Sequence, residues 1–205
     1  DSIRIRNALQ GSGLTWQYGL EQIAFADGTI WDRNAVKAAV LAGAATERAD
    51  AIPGFASNDA LSGGKGSDIL SGGDGTDTYA YRRGDGADVI DEATVWSDGD
   101  RLVLSDYAPA QTRASRDGDD LILTFAEPGD SIRIRNALQG SGLTWQYGLE
   151  QIVFCDGAVW NRDDMKVAVA TGGAFLLEPL AGGSGSNTYA FAKGDGAEII
   201  PEGPN

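Results

Sequence analysis

The sequence predicts an all-β (mainly) fold, in which parallel β-roll solenoid segments alternate with small β-rich linker modules, each closed by a short helix. Two observations predict it: a nine-residue repeat in the middle of the chain, and an internal duplication around that repeat. The 205 residues suffice for one large or two small domains. The predicted division is a partial linker module (1–44), a β-roll (45–91), a complete linker module (92–172) and a short degenerate β-roll (173–205).

The nine-residue repeat places an Asp and an apolar residue at fixed positions. Its clearest units are GGKGSDILS at 63–71 and GGDGTDTYA at 72–80. Glycine tolerates a positive φ and close backbone approach, so each unit predicts a tight loop followed by a very short strand with one inward apolar side chain. Nine residues make half a coil, so loops eighteen residues apart stack. The spacing therefore predicts Asp50 over Asp68, Asp59 over Asp77, and Asp68 near Asp88.

Stacked carboxylates about 5 Å apart repel one another, and a hard divalent cation with oxygen ligands relieves that repulsion. Ca²⁺ suits such a site better than Mg²⁺, which demands a strict octahedron. With no His and one Cys, zinc, copper and iron sites are not expected. The candidate calcium ligands and loop glycines are Asp50, Asp59, Gly64, Gly66, Asp68, Gly73, Gly75, Asp77, Gly84, Gly86 and Asp88.

The predicted loops are unequal. Those at 63–80 follow the ideal pattern, whereas the loops at 45–53 and 54–62 contain few glycines. In the second roll the acidic positions become Glu178, Asn187 and Glu198, which predicts weak or absent binding there. The expectation is roughly two or three Ca²⁺ in the first roll and none or one weakly held ion in the second.

The duplication defines the linker module, because residues 1–23 recur without change at 130–152. In the second copy, DDLILTF (119–125) and DSIRIR (130–135) alternate polar and apolar residues, as half-buried strands do. Pro128-Gly129 between them predicts a turn.

Each copy then continues into a predicted hairpin and a helix of about ten residues. Asp27-Gly28 and Asp156-Gly157 are strong hairpin signals. Asp32 and Asn161 are the expected N-caps, and Gly43 and Gly172 the expected C′ residues.

Two residue types leave alternatives open. Trp16, Trp31, Trp145 and Trp160 could stack on sugar rings, although packing within the linker module accounts for them better. The single Cys155 excludes an internal disulfide and is expected to be a small buried residue.

Charge and residue types exclude several function classes. The net charge of −14 disfavours binding to nucleic-acid phosphates. No apolar run reaches the length of a membrane span. The absence of His removes the usual Ser-His and Cys-His pairs, and the carboxylates have metal-ligand spacing, so no enzyme is expected in this chain. Both ends fall within repeated material, so a piece of a longer protein is expected.

The segment GGKGSDILSGGDGTDTY (63–79), followed by GDGADVI (84–90), resembles the repeats-in-toxin (RTX, haemolysin-type) calcium-binding proteins. The segments GDSIRIRN (129–136) and GLEQIAFADGTIW (19–31) look like the linker domain that accompanies such repeats in large bacterial exoproteins. The resemblance implies Ca²⁺ as cofactor, type I secretion machinery as a partner of the parent chain, and a secreted or cell-surface location.

Two functions remain open at this stage. One is a calcium-dependent structural and folding module that orders outside the cell, where calcium is abundant. Chelation would then unfold the first roll and leave much of the linker module intact. The other is a calcium-dependent adhesin module, whose aromatic residues and acidic edge bind a glycan or protein partner.

Overall fold

The computed structural model describes residues 21–92, 99–139 and 148–171. The described part is mainly β, as predicted, with two mixed, largely parallel sheets, a separate hairpin and two α-helices. In chain order the elements are β1 (Gln22–Ala24), β2 (Ile30–Asp32), α1 (Arg33–Ala44), β3 (Ala51–Pro53), β4 (Ala60–Leu61), β5 (Ile69–Ser71), β6 (Thr78–Tyr81), β7 (Ala87–Ile90), β8 (Arg101–Leu104), a 3₁₀ turn (Pro109–Gln111), β9 (Thr112–Asp117), β10 (Asp120–Phe125), β11 (Ser131–Ile134), β12 (Gln151–Phe154), β13 (Val159–Asn161) and α2 (Arg162–Ala170).

From β3 to β8, consecutive strands alternate between two sheets. The first sheet has the order β3-β5-β7-β11-β10-β9 and the second the order β13-β12-β8-β6-β4. Strands that neighbour each other in this region are parallel, with Ile52 opposite Leu70 in the first sheet and Leu61 opposite Tyr79 in the second. Each sheet thus receives every second strand, which is the arrangement that the eighteen-residue spacing predicts.

The inward apolar positions of the repeat form the core. The side chains at these positions are all buried and belong to one hydrophobic cluster. They are Ile52, Leu61, Leu70 and Tyr79, and Ile90 and Leu102 take the same place in the next two strands. The period-two alternation of a strand places one residue of each short strand inside, so the repeat predicts this core correctly.

Both sheets continue from the nonapeptide strands into the duplicated module. Strand β11 pairs in parallel with β7, and β12 pairs in parallel with β8. The predicted half-buried strands are present as β10 and β11, which are antiparallel, and Gly129 in the turn before β11 has a φ of 98°. Strands of the module therefore form on edges that β7 and β8 supply.

The two hairpin–helix units follow the predicted signals closely. Both hairpins are antiparallel, and Gly28 and Gly157 have φ values of 87° and 88°. The Asp32 side chain caps α1 by accepting from the Ala35 N–H at 2.8 Å. Asn161 caps α2, where Asp164 completes a capping box. Of the helices in the described ranges, none is long and apolar enough to cross a membrane.

The predicted C′ position at Gly43 is wrong. Helix α1 extends through Gly43 to Ala44 and has its C-cap at Ala45. The buried Leu41 and the partly buried Ala44 pack against the core, and this packing outweighs the modest helix preference of one glycine. The corresponding Gly172 lies outside the described residues.

The expectation of a buried Cys155 is also wrong, because this residue is exposed. It follows Phe154, whose side chain points into the core, and strand alternation directs its neighbour outward. Trp160 is 1% exposed and meets the Phe154 ring edge-on at 4.7 Å, so packing accounts for it. Trp31 is 37% exposed, and Trp16 and Trp145 lie outside the described residues.

Candidate metal centre

Acidic residues stack along the first sheet, just before or at the start of each strand. The Asp50 N–H donates to Asp68 Oδ1 at 2.8 Å, and the Asp68 N–H donates to Asp88 Oδ1 at 3.0 Å. We call Asp50, Asp68 and Asp88 the first acidic ladder. The carboxylates of Asp68 and Asp88 thus bind the backbone one strand away, and the predicted stacking of these three residues is present.

A second acidic ladder precedes the strands of the other sheet. The Asp59 N–H donates to Asp77 Oδ1 at 2.7 Å, and the Asp77 N–H donates to Asp100 Oδ1 at 2.7 Å. The Asp100 N–H in turn donates to Glu150 Oε2 at 2.6 Å. The second acidic ladder therefore contains Asp59, Asp77, Asp100 and Glu150, and it runs from the nonapeptides into the duplicated module.

Sequence reasoning missed Asp100 and Glu150. Each precedes a buried apolar residue by two places, Leu102 and Ile152, as the nonapeptide Asp residues do. Their separations from the preceding ladder residue are 23 and 50 residues rather than 18. An acid two places before an apolar residue was a sequence signal that could have identified both ladder residues. The eighteen-residue spacing could not have identified them.

The loops stack with their backbones in direct contact. A Cβ on Gly66 would lie 2.5 Å from the Arg48 carbonyl oxygen, and one on Gly86 would lie 2.0 Å from the Gly66 oxygen. Both glycines also have positive φ, at 145° and 102°. Side chains at these two positions would separate the loops. The other candidate loop glycines have positive φ as well: Gly64, Gly73, Gly75 and Gly84.

The first glycine of each ideal loop makes room for the carboxylate that ends the loop. A Cβ on Gly63 would lie 2.2 Å from Asp68 Oδ2, and one on Gly72 would lie 1.9 Å from Asp77 Oδ2. Asp68 is 0% exposed, and its Oδ2 accepts no hydrogen bond within the described residues. A buried carboxylate oxygen without a donor is costly, and a cation would remove that cost.

The two glycine-poor loops satisfy their own carboxylates. Asp50 Oδ2 accepts from the backbone N–H and the hydroxyl of Thr46, both at 2.7 Å. Asp59 Oδ2 accepts from the Phe55 N–H at 2.5 Å. Beside this second loop, the Lys37 ammonium of α1 is 5% exposed and donates to Ser57 Oγ at 2.6 Å. Both loops therefore contain donors for their own carboxylates, and the second loop also has a positive charge beside it.

Negative charge accumulates at the end of the first acidic ladder. Burial raises the pKa of Asp88 to about 7, and the carboxylates of Asp68, Asp85 and Asp130 add to the effect. Burial likewise raises the pKa of Asp68 above its usual range, with the Asp50 carboxylate contributing. These shifts mean that the ladder opposes its own full ionisation unless a positive charge lies beside it.

Within the three described ranges, no group of three or more acidic or Cys side chains converges as a ligand cluster. An ion here would take much of its coordination from loop carbonyls, which Ca²⁺ accepts readily. The buried Asp68 oxygen, whose carboxylate occupies the room left by Gly63, suits a calcium ligand. The predicted second-roll positions Glu178, Asn187 and Glu198 lie outside the described residues.

Comparison with protein families gives one match. The profile of the haemolysin-type calcium binding protein related domain matches residues 1–35 and 120–164. These segments cover parts of both copies of the duplicated module, including β10 to β13 in the second copy. No curated protein matches the chain. The match thus relates the duplicated module, rather than the nonapeptides, to proteins of the haemolysin type.

Proposed function

We propose that residues 45–91 form a calcium-binding β-roll, and that the chain is a non-catalytic folding module of a secreted bacterial exoprotein. One observation carries the proposal: the fully buried Asp68 carboxylate, which fits only because position 63 is glycine, has an oxygen without a hydrogen-bond donor among the described residues. The similarity of the duplicated module to the haemolysin-type calcium binding protein related domain supports it.

In this proposal Asp68, Asp77 and Asp88 hold the ions together with carbonyl oxygens of the glycine-rich loops. A bound Ca²⁺ supplies the positive charge that cancels repulsion along the ladders. Asp50 and Asp59 contribute less, because the backbone of their own loops already donates to them. Mg²⁺ is a poorer candidate, since it retains water and requires a strict octahedron.

Calcium would thereby control folding. Without the ion, buried carboxylates and the high chain entropy of glycine favour the unfolded state. An ion that binds the native state at 1,000 times its Kd adds about 4 kcal/mol to stability. Strands β7 and β8 supply the edges on which β11 and β12 pair. Folding of the roll would therefore promote folding of the duplicated module. This suits a chain exported unfolded by type I secretion and folded in calcium-rich surroundings.

Calorimetric titration of the full chain with Ca²⁺, and separately with Mg²⁺, tests the proposal. We expect saturable calcium binding accompanied by a gain of β signal in far-ultraviolet circular dichroism, and at least tenfold weaker binding of Mg²⁺. Absence of calcium binding, or equal affinity for the two ions, would contradict the proposal.

Adhesion is the second candidate function, and one observation favours it. In the first copy Phe25 and Trp31 are partly exposed and form an edge-on pair with centroids 5.0 Å apart. Exposed aromatic rings are suitable for stacking on sugars or protein side chains. A glycan array probed with and without calcium tests it, and the variant Trp31→Ala should abolish any signal if this pair is the contact.

A further inference from the structure

Glu92 is a buried acid outside the nonapeptide pattern. It lies two residues after β7 and is 3% exposed. Its Oε1 accepts one long hydrogen bond, 3.3 Å, from the Gly72 N–H. Its Oε2 is buried and accepts no hydrogen bond in the described part of the chain. No salt bridge reaches Glu92 from a Lys or Arg of the described ranges. A carboxylate in this position lacks the partners that its burial requires.

The register of the strands shows what Glu92 faces. Leu70 pairs with Ile90, so Gly72 and Glu92, two residues later in each strand, occupy equivalent positions in adjacent coils. A Cβ at position 72 would lie 1.9 Å from Asp77 Oδ2, the next member of the second acidic ladder. By the same geometry, the side chain at position 92 is directed toward Asp100. The position that is Gly72 in the preceding coil is therefore Glu92 in this coil, which adds a second carboxylate beside that of Asp100.

The surroundings of Glu92 are strongly negative. After burial, the carboxylate of Asp100 is the largest cause that raises its pKa, to about 8, with Asp77 and Glu150 adding to it. On the module side, Arg162 pairs with Glu150 and also contacts the Gly148 carbonyl oxygen. No such ion pair reaches Glu92 from the described residues, so its carboxylate lies beside other acids without a cation of its own.

We propose that Glu92 and Asp100 hold a further divalent cation, best suited to Ca²⁺, at the junction between the nonapeptides and the duplicated module. Asp77 lies on its nonapeptide side and Glu150 on its module side. Such an ion would stabilise the association of β6, β8 and β12, which are consecutive strands of the second sheet. The site extends the proposed function, from which it takes the identity of the ion, but its ligands lie outside the nonapeptides.

Native mass spectrometry of the full chain in the presence of Ca²⁺ alone tests the proposal by counting bound ions. The variants are Glu92→Gln, Asp68→Asn and the control Glu47→Gln, an exposed acid paired with Lys65. We expect Glu92→Gln to bind one ion fewer than the wild type and Glu47→Gln to bind as many. Circular dichroism at saturating calcium checks that Glu92→Gln folds as the wild type does. If it does not, Glu92→Asp replaces it, with at least tenfold weaker binding of one ion expected.

The outcomes separate the two proposals. If Glu92→Gln, or its substitute, binds calcium as the wild type does, the junction site is overturned, and a proton on Glu92 explains its burial instead. If Asp68→Asn keeps every ion while Glu92→Gln loses one, the junction site stands and the nonapeptide sites fail. If the wild type binds no calcium, both proposals are overturned.

Discussion

The first two loops of the repeat and the next two all contribute an Asp to the acidic ladders, but the hydrogen bonds to their carboxylates differ. Asp50 and Asp59 receive hydrogen bonds from the backbone of their own loops. Asp68 is more deeply buried, and its second oxygen has no donor in the described structure. The regular spacing of Asp therefore builds the stack in both pairs, whereas in our proposal the glycines determine which loops depend on an ion.

The physical reason lies at the second position of each loop. In the loops at 45–50 and 54–59 this position is Thr46 and Phe55, whose N–H groups donate to the carboxylate that ends the loop. In the loops at 63–68 and 72–77 it is Gly64 and Gly73, with φ values of 79° and 92°. The first position does not separate the two pairs, because Gly54 occupies it in the loop at 54–59. In our proposal, the loops that begin with two glycines leave the carboxylate to a cation.

Removal of calcium should have the largest effect of the changes considered, and it should affect two regions of the molecule unequally. We expect chelation with EGTA to abolish amide protection in β5 and β6, because these strands follow the ion-dependent loops. Strands β9 and β10, which pair antiparallel, should keep more of their protection. Hydrogen exchange with mass spectrometry measures both regions, and equal loss in all strands would show that the sheets unfold as one unit.

The stability of the calcium-free protein should fall as pH rises from about 4 to about 8. The folded-state pKa values of Asp88 and Glu92 are raised to about 7 and about 8, while unfolded carboxyl groups titrate near 4. The folded state therefore binds protons that the unfolded state releases, so stability is greatest below pH 4 and decreases until the folded groups also ionise. Urea unfolding at several pH values measures this.

Calcium should reduce that dependence, because a bound ion stabilises the ionised carboxylates. A calcium-free protein whose stability rises over this pH range would contradict the burial of uncompensated acids in the ladders.

Gly86→Ala should destabilise the protein by about 3 kcal/mol. Its Cβ would meet the Gly66 carbonyl oxygen at 2.0 Å, and its φ is 102°. Gly84→Ala is the matched control, since its φ of 85° is similar but nothing lies within 4 Å of its Cβ. The control should cost about 1 kcal/mol. Equal losses in chemical denaturation would mean that backbone strain, rather than loop stacking, governs these positions.

The smallest effect should come from the lysines of the two helices, which occupy equivalent positions in the duplicated copies. Lys37→Met removes the buried donor to Ser57 beside the Asp59 loop and should cost about 1 kcal/mol. Lys166→Met removes a surface pair with Asp163 and should change stability by less than about 0.5 kcal/mol. Thermal unfolding at saturating calcium compares the two variants. Equal effects would mean that Lys37 does not stabilise the loop at 54–62.

The repeat predicted most of what lies between residues 45 and 90. The inward position of Tyr79 and the stacking of Asp68 on Asp88 follow from its periodicity. Outside it, both hairpins follow from turn chemistry. Such features depend on residues that are close in sequence or separated by a constant interval, so the chain displays them directly.

The parts that were missed depend on contacts between distant segments. Glu150 joins the second acidic ladder across 50 residues, and no constant interval marks it. Lys37 is buried only because α1 lies against the loop that contains Ser57. Gly43 was mistaken for a helix end because the packing of Leu41 and Ala44 is not visible in local sequence.

Calcium titration of two double variants tests the central claim most directly. Asp50→Asn with Asp59→Asn changes the glycine-poor loops, and Asp68→Asn with Asp77→Asn changes the glycine-rich loops. We predict that the first variant keeps the number of tightly bound ions and that the second loses them, with at least tenfold weaker residual binding. Equal losses in the two variants, or a greater loss in the first, would contradict the claim that the glycine-rich loops bind the ion.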